Sequence, residues 1–89
     1  MQSKYIMLGG EKTSMMYTPI VFPEHMDHSK VAEGFGGKDN VVSAGFVRVG
    51  VDDEGGIRVV CWGKSQSLGL ESAGEDDAVF IKIMLRGDT

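Results

Sequence analysis

Residues 41–62 read VVSAGFVRVGV, then DDEGG, then IRVVCW. Two valine-rich runs flank five turn-forming residues, the pattern of a β-hairpin with a longer loop. Side chains on a strand alternate between two faces, so the pairing register decides which residues meet. Setting Val51 opposite Ile57 places Val49 against Val59 and Val47 against Cys61, which gathers six apolar residues on one face. The other face then carries Gly50 with Arg58, Arg48 with Val60, and Phe46 with Trp62. A slip of one residue would set the apolar row of one strand against the mixed row of the other. This register is therefore the expected one, and the sheet is read outward from it.

Towards the N-terminus, residues 5–8 (YIML) form a short apolar run stopped by Gly9 and Gly10, a first strand, with residues 1–3 expected to fray. Residues 15–22, MMYTPIVF, are extended in character, and Pro19, which cannot donate to a ladder, makes them an edge strand or a strand broken near the proline. Pro23 suits the first turn of a helix. Residues 24–33 hold good helix formers and end at Gly34, while Asp27 or Ser29 could cap a shorter helix. Residues 34–40, GFGGKDN, read as a loop.

Towards the C-terminus, residues 63–71, GKSQSLGLE, are a glycine-punctuated connection around Leu68 and Leu70. Ser72-Ala73-Gly74-Glu75 then fits a capping box, in which serine and glutamate satisfy each other's backbone N–H groups. Glu75, Asp76 and Asp77 load the first turn with negative charge, Lys82 and Arg86 lie towards the end, and Gly87 is a stop. The interior, AVFIKIML, would also suit a strand; the signals at both ends decide for a helix. Val79, Phe80, Ile83 and Met84 are expected to face inward, with Ala78, Lys82 and Arg86 outward. The order β–β–α–β–β–α predicts an α+β fold: a mostly antiparallel sheet of about four strands with two helices packed on one face. That face is the one bearing Val47, Val49, Val51, Ile57, Val59 and Cys61.

Eighty-nine residues make a single domain with a modest core. The composition, 42% hydrophobic and 25% charged, is that of a folded chain. Nine basic residues against thirteen acidic ones leave a net charge of −4, which makes nucleic acid an unfavourable partner. No apolar run approaches the roughly 20 residues of a membrane span, and the N-terminal apolar patch is too short for a signal-peptide core. Cys61 stands alone, so no intrachain disulfide forms and a cytoplasmic setting is expected.

The motifs that suggest chemistry fail on spacing. Gly63-Lys64-Ser65 would end a phosphate-binding loop, but Arg58 stands where its first glycine belongs. Gly37-Lys38 has Ala32 there and Asp39 in place of the magnesium-holding hydroxyl. Asp52-Asp53-Glu54-Gly55 resembles a calcium loop whose twelfth position is Cys61 rather than a glutamate. His25 and His28, three apart on a helix, could reach one metal, but two histidines make no site alone and read better as surface residues. Cys61, flanked in the register by valines, reads as a buried structural thiol. No cofactor is implied.

The second face of the hairpin gives the positive signal. Phe46, Val60 and Trp62, with Arg48 and Arg58 around them, form an aromatic patch of the type that marks an interaction surface. The competing expectation is that the N-terminal segment, with Tyr5, Met15, Met16 and Tyr17, folds over it. The leading reading is a non-enzymatic protein–protein interaction module, a homodimer or the binder of a protein partner. The alternative is a small-molecule or metal binder that uses loops 35–40 and 63–70 with His25 and His28 nearby. In general character the short, methionine-rich chain is similar to small accessory proteins of phages and mobile elements, a likeness of type that no residue motif carries.

Overall fold

The structure, a computed structural model, describes residues 2–9 and 17–86. The central hairpin has the register its alternation demands. β3 (Val41–Val51) and β4 (Ile57–Trp62) pair antiparallel, with Val51 opposite Ile57, Val49 opposite Val59 and Val47 opposite Cys61. The acidic loop between them is held by Asp52, whose carboxylate accepts the N–H of Glu54 at 3.0 Å and of Gly56 at 2.7 Å. A side chain that satisfies its own turn's amides is a standard use of aspartate in such loops.

β1 (Gln2–Leu8) lies beside β3, and β2 (Thr18–Pro23) pairs with β1. The sheet order is β2-β1-β3-β4, antiparallel throughout. Gln2 and Ser3, expected to fray, belong to the strand: Gln2 pairs with Arg48, and Ser3 sits between Val47 and Pro23. Because β1 is an interior strand with both faces covered, its apolar run is continuous rather than alternating. β2 is an edge strand, as its proline requires, and Met15 and Met16 lie outside the described residues. Pro23 ends this strand instead of opening a helix. The helix expected over 24–33 is consequently shorter: Met26 N–H turns back to the Pro23 carbonyl, and α1 (His28–Glu33) begins behind Asp27.

The chain after β4 forms a small ribbon, β5 (Lys64–Ser65) with β6 (Leu70–Glu71), where a loop was expected. α2 (Glu75–Arg86) follows. The two helices lie on opposite faces of the sheet, a correction to the expectation that both cover one. The cause is β1. Its Ile6 and Leu8 point to one side, where they join Phe22, Val41 and Ala44 under Ala32 of α1 and Leu68 of the ribbon. Its Tyr5 and Met7 point to the other, where they join Val47 and Cys61 under Ile81 of α2. The register slips between Met7 and Leu8, a bulge that brings Val41 into the α1-side cluster. A reading that began from the hairpin saw one apolar row; the strand inserted beside it creates a second that also needs a cover.

α2 is rotated from its expected facing. Asp77 and Ile81 are buried and Ala78 packs against the core, whereas Val79, Ile83 and Met84 are exposed. Phe80 is half-buried, its ring edge-on to Tyr17 at 5.3 Å. Ile81 is fully buried, so Ile81→Ala is expected to lower unfolding free energy by about 2–5 kcal/mol. Val51→Ala, at a residue 75% exposed, should change it by no more than about 0.5 kcal/mol; urea denaturation of both variants checks the contrast.

Candidate functional site

The aromatic face predicted from the hairpin is assembled as expected. Phe46 and Trp62 are stacked with ring centroids 6.1 Å apart and planes at 27°, and the Arg48 guanidinium carbon lies 5.8 Å from the indole centroid. Alternation puts Arg58, Val60 and Trp62 on this same face of β4. Phe46 is half-buried, but Val60 and Trp62 remain 46% and 36% exposed. Among the described residues the N-terminal segment does not cover the patch: Tyr5 is buried on the opposite face, and Tyr17 rests against Phe80 of α2.

Two glycines shape the border of this face. Gly63 turns the chain out of β4 at φ +83°, and a Cβ there would meet the Phe46 ring at 2.8 Å. Gly45 lies where a Cβ would come within 2.5 Å of the Trp62 carbonyl oxygen and 3.0 Å of Ser72 Cβ. Its own carbonyl accepts from His28 Nε2 at 2.9 Å, which assigns the neutral Nε2–H tautomer. His28 is therefore no surface histidine. It is buried, with its ring edge-on to Phe22 and Phe46, and burial lowers its pKa below 6.5. His25 is exposed in the preceding turn, and among the described residues no three His, Cys, Asp or Glu side chains converge as a metal would need.

A cleft of about 540 Å³ opens beside the aromatic face. Lys4, Asp27, His28 and Phe46 form one wall, and residues 63–67 form the other. Of the two loops, residues 63–67 line this cleft, whereas loop 35–40 and His25 do not. Lys4 is already engaged, its Nζ donating to the Met26 carbonyl at 3.0 Å. Ser65 is buried and its Oγ accepts the Leu68 N–H, so its hydroxyl serves the ribbon turn.

A third cluster went unread in the sequence. Tyr5, fully buried, donates its hydroxyl proton to the Asp77 carboxylate. Its oxygen lies 2.7 Å from Ser72 Oγ, and since the phenol has one proton to give, the serine donates there. Ser72 Oγ also accepts the Gly74 N–H at 2.9 Å, and Asp77 accepts the Ala73 N–H at 3.0 Å. The reciprocal capping carboxylate is therefore Asp77 rather than Glu75. That bond turns Asp77 into the core and rotates α2 with it. Asp77 stands four residues before Ile81, the spacing of one helix face, which was the signal available in the sequence. Cys61 lies in the same layer; burial and the nearby Asp77 carboxylate push its thiol up to about 11. Burial and the bond to Asp77 likewise raise the Tyr5 phenol. The cluster is closed, with its polar groups satisfied internally, and its chemistry is that of a structural tie.

No model of a known protein family matches this chain, and no curated protein or solved structure matches it either.

Tyr5→Phe removes a buried donor from the Asp77 carboxylate and is expected to cost about 1–3 kcal/mol in urea denaturation. The raised thiol and phenol keep both groups neutral in the folded chain while the unfolded chain ionises them. Stability should thus hold at neutral pH and fall as pH rises from 9.0 towards about 11, and Cys61→Ala should flatten that fall. On the acid side, His28 stays neutral only when folded, so stability is lost as pH drops below 6.5. Unfolding midpoints across the pH series check both limbs.

Proposed function

We propose that this chain is a non-enzymatic interaction module that self-associates through the sheet face centred on Phe46, Val60 and Trp62. The observation that carries the proposal is the open aromatic patch: Trp62 is stacked and held by Phe46 and Arg48, yet still 36% exposed beside an exposed Val60. Aromatic and arginine side chains pre-organised in this way are the residue types that dominate binding energy at interfaces. A net charge of −4 favours a protein partner over nucleic acid, and the reduced, buried Cys61 suits a cytoplasmic setting. Among the described residues no helix is long and apolar enough to cross a membrane.

A second reading, a small-molecule site, draws on the cleft between Lys4, His28 and residues 63–67. Inorganic phosphate and sulfate are its simplest probes. A rise in melting temperature that saturates with either anion and is abolished by Lys64→Ala would favour it.

Light scattering behind a sizing column, over a range of concentrations, tests the leading proposal. The expected mass is near twice 9.6 kDa, and Trp62→Ala is expected to return it to 9.6 kDa with the fold retained. A wild type that stays at 9.6 kDa throughout, and captures no protein that Trp62→Ala fails to capture, overturns the proposal.

A further inference from the structure

We infer that the partner at this face is a second copy of the chain, joined edge to edge through β4 about a two-fold axis at Val60. The inference rests on the self-association reading above and names its geometry.

The two edges of the sheet differ. β2 carries Pro19 and Pro23, and strand prolines belong where their missing N–H would face outward, so that edge cannot accept another strand. β4, IRVVCW, has no proline and a single charge. The direction of its free backbone groups follows from the loop. Asp52 N–H bonds the Gly56 carbonyl at 2.8 Å, so the pairs 50/58, 48/60 and 46/62, stepping by two, are the ones bonded to β3. The N–H and C=O groups of Ile57, Val59 and Cys61 therefore point away from β3, towards the open edge. An unblocked edge of this kind is a template for strand addition.

The side chains then select the occupant. Directly opposite residues of an antiparallel pair share a face, so a two-fold can sit at Val59 or at Val60 but not between them. With Val60 opposite its own copy, Arg58 lies opposite the partner's Trp62, and Trp62 opposite the partner's Arg58. The row Arg58, Val60, Trp62 is complementary to its own reverse. It repeats across the interface the contact that Arg48 makes with Trp62 from the neighbouring strand. On the other face, Val59 meets the partner's Cys61. There a groove of about 400 Å³ runs between Ile57, Arg58 and Val59 of β4 and Ala78 and Val79 of α2, with Asp52, Glu75 and Lys82 also on its lining. The product is an eight-stranded antiparallel sheet in which the exposed Val60 and Trp62 meet their counterparts.

Val60→Cys in a Cys61→Ala background tests the geometry. A non-hydrogen-bonded antiparallel pair has Cα atoms about 4.5 Å apart, within disulfide range. Mild oxidation with diamide should give a covalent dimer that dithiothreitol reverses, whereas Val42→Cys in the same background, exposed but far from the edge, should not. Arg58→Glu is exposed and should keep the fold while raising the dimer dissociation constant about tenfold or more. A dimer that Trp62→Ala dissolves, but that neither cross-links at position 60 nor responds to Arg58→Glu, overturns the edge register and leaves self-association standing. A chain that is monomeric at every concentration overturns both.

Discussion

The bond from the Tyr5 phenol to the Asp77 carboxylate joins the first strand to the last helix across nearly the whole length of the chain. It is formed in a layer from which water is excluded, where leaving either group unpaired would cost more than making the bond gains. Its consequences spread in both directions. Asp77 must face the sheet, so Ile81 and Ala78 follow it inward and Val79 and Ile83 are turned out. Ser72, bound to the same phenol, fixes where the ribbon hands over to α2. Gly45 leaves the space that Ser72 enters. One acid–phenol contact thus sets the rotation of the helix, its starting point and the character of its outer face.

The parts legible in the sequence are those settled by local periodicity. The β3–β4 register could be derived pair by pair because a slip of one residue would have been visibly wrong. The edge position of β2 followed from Pro19, and α2 from the signals at its two ends. What could not be read depends on contacts between distant segments. The run YIML looked like a minor strand because nothing local says that it lies between β2 and β3. Once inside the sheet it presents two apolar rows, and α1 and α2 are drawn to opposite sides. The capping box was read from its residue types at fixed spacing, but the carboxylate that answers the turn is chosen by the burial of Tyr5. His28 was misplaced for a related reason: its neighbours Phe22, Gly45 and Phe46 come from two strands, β2 and β3, that lie apart in the sequence.

The aromatic face stands between these cases. Its five residues were named from alternation alone, and their mutual contacts, the Phe46–Trp62 stack and Arg48 over the indole, are the ones alternation implies. Its openness was not derivable, since it depends on where the N-terminal residues go. Of the described residues, Tyr5 lies beneath α2 and Tyr17 against Phe80, both on the far side of the sheet. The cleft beside the face was legible only in half, because residues 63–67 had composition to mark them and Lys4 had none.

The prolines of β2 bear on how large any assembly of this chain can grow. A protein with two receptive edges adds copies at both and becomes a fibre; one with a single receptive edge stops once that edge is taken. With β2 sealed, growth by strand addition has a ceiling that concentration does not lift. A strand as valine-rich and proline-free as β4, left at an edge, is the kind of template that other strands can join. Pro19 and Pro23 lie in the opposite edge strand, where each removes a backbone donor and makes that edge a poorer template for a further strand.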